Sequence, residues 1–220
     1  MFRLINVYKF TSLIPFVRQL VCITFLALPL LSCRGSSEPR PLTITILGDS
    51  LTAGYGLNQD LAFPARLEIA LREAGWPVTV INAGVSGDTT AAGLARLDWV
   101  LQDKPDVLII QLGANDALRG LAPQRARSNL DEMIRRTKSR GIKVILAGMQ
   151  APMNLGLGYR REFNPIYPEL AEKHNIPLYP FFLEGVAGKT ALNLDDGIHP
   201  NADGINEMVR RFTPFLLRHL

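Results

Sequence analysis

The sequence predicts an α/β fold: a three-layer α/β/α sandwich built on a five-stranded parallel sheet. Three observations carry this reading. From Leu42 onward, short runs rich in β-branched residues alternate with stretches of helical periodicity, and that alternation implies right-handed crossovers between parallel strands. The run from Val107 to Leu112 is almost wholly apolar, as a strand covered on both faces should be. The composition, 47% hydrophobic and 20% charged over 220 residues, supports a sizeable core. It excludes disordered, collagen-like and disulfide-scaffold chains. At about 150 residues per domain the length suits one domain.

The elements follow in order. Leu42 to Leu47 reads as the first strand and ends at Gly48. Phe63 to Ala74 is an amphipathic helix, with Phe63, Leu67, Ala70 and Leu71 on one face and Gly75 as its stop. Val78 to Ile81 is the second strand, Thr89 to Leu101 the second helix, and 107–112 the third strand. Pro123 to Arg140 is helical, Lys143 to Ala147 a strand, and Arg161 to His174 helical despite Pro165 and Pro168. Pro177 to Tyr179 is a short fifth strand, and a helix from Ala202 to Leu217, with a kink expected at Pro214, closes the chain. In such sheets, sites form beyond the carboxyl ends of the strands. The segments to search are therefore 48–58, 82–90, 112–120, 148–160 and 180–201.

The front of the chain reads as an address. Residues 1–32 hold Arg3, Lys9 and Arg18, no acid, and an apolar run from Leu20 to Leu31. A basic flank, a short apolar stretch and small residues at its end describe a secretory signal. Arg18 and Pro29 leave it too short for a comfortable span, which needs about 20 residues. Leu30-Leu31-Ser32-Cys33 resembles a bacterial lipobox, in which Cys33 is lipidated and becomes the new N-terminus. An ordinary cleaved signal or an uncleaved anchor is the alternative. Residues 33–41 read as a polar tether, and 42–220 as the folded domain. The expected location is the bacterial cell envelope, as a periplasmic, membrane-anchored lipoprotein. The signal also explains the charge. The chain has 24 basic and 20 acidic residues, and without the signal 21 basic residues face 20 acids, so no electrostatic case for a nucleic-acid partner remains. Cys22 lies in the signal, which leaves Cys33 alone and excludes an intramolecular disulfide or a cysteine nucleophile in the body.

Four polar segments at strand ends suit acyl transfer. Ser50, in Gly48-Asp49-Ser50-Leu51, follows the first strand directly, but a serine hydroxyl needs a base. Of three histidines, His219 is penultimate and His174 sits at a polar helix end, where a cation suits the dipole. His199, in Asp195-Asp196-Gly197-Ile198-His199-Pro200, precedes the last helix. An Asp three residues before it can curl back onto Nδ1–H and leave Nε2 for the serine. Ser50, His199 and Asp196 are thus the candidate nucleophile, base and orienter, with Asp195 the rival acid one residue further away. The Ser50 N–H, the Gly87 amide and the Asn115 side chain are candidate donors to an oxyanion. Each element has a plainer reading. Ser50 could cap a helix, Asp196 and His199 could serve a turn, and the glycines could meet turn geometry alone. Ser86 is a second serine in range. The acids Asp49, Asp88, Asp116 and Asp196 with His199 could instead serve a metal-dependent phosphoesterase, although no second histidine has ligand spacing. A lipid-binding protein without activity would need no base-paired serine.

Together, Gly48-Asp49-Ser50-Leu51, Gly87, Gly113-Ala114-Asn115-Asp116 and Asp196-Gly197-Ile198-His199-Pro200 resemble the four blocks of GDSL-type (SGNH) hydrolases. Ser86-Gly87-Asp88-Thr89, Gly93-Leu94-Ala95-Arg96-Leu97 and Asn115-Asp116-Ala117-Leu118-Arg119-Gly120 extend the similarity to the bacterial acyl-CoA thioesterase/protease/lysophospholipase subgroup and its arylesterases. The resemblance implies a flavodoxin-like sandwich and a cofactor-free, metal-free esterase or thioesterase acting on small esters, acyl thioesters or lysophospholipids. It implies Ser50, Asp196 and His199 as the triad and Ser50, Gly87 and Asn115 as the oxyanion hole. Asp49 and the loop residues Met149, Met153, Leu155 and Leu157 are expected to contact substrate. The lipobox-like Cys33 departs from relatives with a plain cleaved signal.

Overall fold

The computed structural model describes residues 40–220. The expected signal 1–32, Cys33 and the tether up to residue 39 lie outside the described residues. Strand β1 (Leu42–Gly48) leads into a four-residue helix α1 (Ser50–Ala53), followed by α2 (Phe63–Glu73) and β2 (Val78–Gly84). Helices α3 (Thr90–Ala95) and α4 (Leu97–Val100) precede β3 (Val107–Gln111). Then come α5 (Ala114–Leu118), α6 (Pro123–Lys138) and β4 (Lys143–Ala147). Finally α7 (Gly156–Phe163), α8 (Ile166–His174), β5 (Leu178–Tyr179) and α9 (Ala202–Leu217) complete the chain.

The five strands pair in parallel in the order β2-β1-β3-β4-β5. The chain steps from β1 to β2 on one side, then crosses over β1 to reach β3. Right-handed crossovers therefore put α2, packed on α9, on one face and the α3–α6–α8 series on the other. The expected doubly wound, three-layer fold is present. Reversal of direction around β1 opens a crevice at the carboxyl ends of β1 and β3, where such folds hold ligands.

Burial explains why the central strands are apolar. Every residue of β3 is buried, and Ile44, Ile46 and Leu47 of β1 are covered completely. Under α2 and α9, Phe63 meets Phe182 and Phe212 edge-on at centroid distances of 4.8 and 5.5 Å. On the other face Tyr167 is buried with its hydroxyl donating to the Leu112 carbonyl at 2.8 Å.

Most elements match their expected bounds to within two residues, and four differ by more. β2 runs three residues further, to Gly84, because β1 offers pairing positions as far as Gly48; the polar Asn82 gave no apolar signal of this. The helix expected over 89–101 is broken at Arg96, whose side chain is drawn to Asp88 and the Gly48 carbonyl. The helix expected over 161–174 is two helices, since Pro165 clashes with the preceding turn and ends α7. Pro168 is tolerated because it lies in the first turn of α8, where its missing N–H has no partner to lose. The loop expected at 149–158 holds a 3₁₀ turn (Met153–Leu155) and the start of α7. α9 continues through Pro214.

The close approach of α1 to β2 depends on Gly84. A Cβ there would stand 2.3 Å from the Ala53 nitrogen and 2.9 Å from the Asp49 carbonyl oxygen, both main-chain atoms that cannot yield cheaply. Gly84→Ala should therefore destabilise the fold by roughly 1–3 kcal/mol, the usual scale of overpacking. Chemical denaturation checks this, and an unchanged midpoint would contradict it.

Candidate active site

The site is assembled by how each strand ends. After Gly48 the backbone turns into α1, and Asp49 is its N-cap, with Oδ1 accepting from the Leu51 N–H at 3.0 Å. Because Asp49 performs the capping, the Ser50 hydroxyl is spared that task. It lies 2.8 Å from His199 Nε2, across 149 positions of sequence.

His199 is held by a loop pinned at both ends. Asn193 donates to the Val186 and Lys189 carbonyls, the Leu194 N–H to the His199 carbonyl, and Asn201 caps α9 through the Gly204 N–H. Within this loop Asp196 turns back as expected, its Oδ2 2.6 Å from His199 Nδ1. Its Oδ1 accepts from the backbone N–H groups of Ile198 and His199 at 2.8 and 2.9 Å. The His199 backbone N–H, the His199 ring and the Ile198 N–H hold the Asp196 carboxyl down to about 2. It therefore stays ionised, as an orienter of Nδ1–H must. Asp195 is exposed and takes no part. His174 pairs with Asp131 and His219 with the Phe215 carbonyl, which leaves only His199 bonded to a serine among the described residues.

The two other strand ends bring the remaining candidates to the same crevice. The Val85 N–H donates to the Gly48 carbonyl at 3.0 Å, and the Asp88 N–H closes a turn onto Val85. Gly87 lies in this turn at φ 86°, a left-handed conformation that a side chain would strain. Asn115 Nδ2 donates to the Asp88 carbonyl at 3.0 Å, which ties α5 to the same turn and leaves its second amide hydrogen free. Among the described residues, the Ser50 and Gly87 N–H groups have no hydrogen-bond partner.

The acids that could have formed a metal centre are dispersed by their partners. Asp116 is buried and receives the Thr90 N–H and hydroxyl at 2.8 and 2.6 Å. Asp88 pairs with Arg96 at 2.7 Å. Among the described residues no group of three or more His, Cys, Asp or Glu is placed to hold a metal ion.

Of the five residues expected to contact substrate, two are not at the surface. Asp49 is 0% exposed, so its carboxylate supports α1 from beneath and is out of a ligand's direct reach. Met149 is also buried, with Sδ beside Gln111 Nε2. Met153 and Leu157 are exposed and Leu155 half-buried on the segment flanking the crevice.

Three residues have roles at the crevice that the sequence reading did not assign. The Tyr55 ring packs against the His199 ring at a centroid distance of 4.3 Å, tilted by 33°, while remaining 51% exposed. Arg96 bridges Asp88 and the Gly48 carbonyl. Arg119 Nη2 donates to the Gly87 carbonyl at 2.8 Å. None carries a local signal of its role, because each is defined by contacts distant in sequence or across a turn.

Residues 46–205 match the family model of the GDSL-like Lipase/Acylhydrolase family. The chain is 42% identical over 199 residues to an arylesterase of Vibrio mimicus, spanning 90% of this chain and 100% of that one. It is 40% identical to Thioesterase 1/protease 1/lysophospholipase L1 of Escherichia coli K12, spanning 82% of this chain and 85% of that one. A crystal structure of TesA superposes with a TM-score of 0.77 at 38% identity, covering 81% of this chain and 99% of the other.

Burial carries a cost at Asp49. Removal from water pushes its pKa up to about 7, and the Leu51 N–H and the Gln111 side chain offset this only in part. An unfolded Asp titrates near 3.9. Between about pH 4 and pH 7 the folded state thus holds a proton that the unfolded chain has lost, and stability falls as pH rises through that window. Asp49→Asn keeps a capping oxygen and removes the titration. Relative to wild type, its stability should improve by up to about 4 kcal/mol between pH 4 and pH 8, the value of a three-unit shift. Denaturant unfolding across that range tests this, and parallel profiles for the two proteins would contradict it.

Proposed function

Because the chain belongs to the GDSL-like lipase/acylhydrolase family and is a hydrolase, we propose that it cleaves carboxylic esters and thioesters through an acyl-enzyme on Ser50. The observation that carries this reading is the unbroken series Asp196 Oδ2, His199 Nδ1, His199 Nε2 and Ser50 Oγ at 2.6 and 2.8 Å. Related chains named arylesterase and thioesterase/lysophospholipase point to the same substrate classes.

In the proposed mechanism Ser50 Oγ attacks the acyl carbonyl while His199 Nε2 takes its proton. The ionised Asp196 stabilises the imidazolium that results. Negative charge gathers on the former carbonyl oxygen, and the Ser50 N–H, the Gly87 N–H and the free amide hydrogen of Asn115 receive it. His199 then protonates the departing alcohol or thiol. Water, deprotonated by the same ring, releases the acid and restores Ser50. Exposed Met153 and Leu157, with half-buried Leu155, offer a flexible apolar wall for the acyl part. Lysophospholipids belong to this proposed range as amphiphiles with one ester.

We also propose that Cys33 is lipidated and tethers the enzyme to an envelope membrane, on the lipobox-like Leu30-Leu31-Ser32-Cys33. Labelling of producing cells with a radiolabelled fatty acid should mark the wild type and spare Cys33→Ser. Equal labelling of both would contradict the anchor.

Hydrolysis of a p-nitrophenyl ester should persist in the presence of a chelator and fall by about 10⁴–10⁶ in Ser50→Ala, the scale of losing a triad nucleophile. Activity surviving in that variant, or vanishing with chelator, would overturn the mechanism. Asn115→Ala should lower kcat by about 10²–10³ with KM little changed, as for the loss of one oxyanion donor. A loss below about threefold would remove Asn115 from the hole.

A further inference from the structure

We propose that Arg96 is a positioning residue that sets the separation of the two backbone donors, Ser50 N–H and Gly87 N–H; this rests on reading those groups as the oxyanion hole. Its guanidinium makes two bonds to different walls of the crevice. Nη2 donates to the Gly48 carbonyl at 3.0 Å, two residues before Ser50. Nε donates to Asp88 Oδ2 at 2.7 Å, one residue after Gly87. The bridge thus runs from the backbone that presents one donor to the backbone that presents the other.

Asp88 is the point where three restraints meet. Its N–H closes the 85–88 turn onto the Val85 carbonyl, its carbonyl receives Asn115 Nδ2, and its carboxylate receives Arg96. Movement of Asp88 therefore shifts Gly87 and the amide of Asn115 together. The start of the turn has its own tie, from the Val85 N–H to the Gly48 carbonyl. At the end of the turn Arg119 holds the Gly87 carbonyl from the end of α5, and among the described residues the side-chain tie to β1 is the one from Arg96.

The pair is 19% and 12% exposed, so screening by water is limited and the charge-assisted bonds are strong. Arg suits this work in a way Lys does not. A planar fork reaches two acceptors in fixed directions, whereas an ammonium on a flexible stem holds no angle between them. The break between α3 and α4 falls at Arg96 itself, so the helix interruption that placed its Cα also aims its side chain at the crevice.

An oxyanion donor acts only once charge has developed. A misplaced donor therefore lowers kcat and leaves ground-state binding alone. A displacement near 1 Å can cost about 10²-fold. The expected signature of Arg96→Met is a 10- to 100-fold fall in kcat for a p-nitrophenyl ester with KM within about twofold of wild type. Arg96→Lys should show the same split, and Asp88→Asn, which still offers Arg96 an oxygen, should recover most of the activity that Asp88→Ala loses. Since Arg96 acts through the hole, adding Asn115→Ala to Arg96→Met should cost clearly less than the product of the two single losses. Thermal melts of each variant accompany the kinetics, and Asp88→Ala opens the same bridge from the other side should Arg96→Met fail to fold. Unchanged kcat, a change confined to KM, or losses that multiply fully would overturn the role of Arg96. If instead Asn115→Ala alone has no effect, the oxyanion-hole reading fails first, and the two failures are distinct.

Discussion

Gly48 stands level with Gly84 on one side and Gln111 on the other, and the site depends on that register. Parallel pairing makes three strands end together, so the turns that follow them leave the sheet at one height. Ser50 comes from the first turn, Gly87 from the second and Asn115 from the third. Had β1 lain at an edge, only one neighbour could have shared its end. The crossover that takes the chain from β2 over β1 to β3 is therefore the topological condition for gathering the proposed nucleophile and its proposed donors from three separate stretches of sequence.

What the sheet gathers, small and buried polar groups hold at contact distance. Gly84 lets α1 lie against β2, and the Gly48 carbonyl receives both Val85 and Arg96. Beneath Ser50 the Asp49 carboxyl is buried, and its removal from water costs stability at neutral pH. The same carboxyl fixes the first turn of α1 and releases the Ser50 hydroxyl from capping. The cost of desolvation thus falls beside Ser50, in the turn that the candidate site is built on.

Much of this was legible in the sequence, and the exceptions share a cause. The strands of the sheet and its three-layer form follow from alternation of period, since strand and helix bury different patterns of residues. Asp196 and His199 were legible because their pairing is local, three residues apart, and Ser50 because it follows a strand without an intervening loop. The extension of β2 through Asn82 was hidden because pairing with β1, not apolarity, drives it. The resemblance led to an expectation of substrate contact by Asp49, yet adjacent residues leave a turn in different directions, and Asp49 points inward. Tyr55 over His199 and Arg96 across Asp88 and Gly48 are tertiary contacts that no spacing along the chain announces.

The central claim is that Ser50 becomes covalently acylated. Its most direct measurement is the intact mass of the protein after exposure to a fluorophosphonate, followed by peptide mapping. One adduct per chain is expected, on the peptide containing Ser50, with hydrolytic activity lost in proportion to labelling. No adduct, or an adduct on Ser86 that abolishes activity, would contradict it.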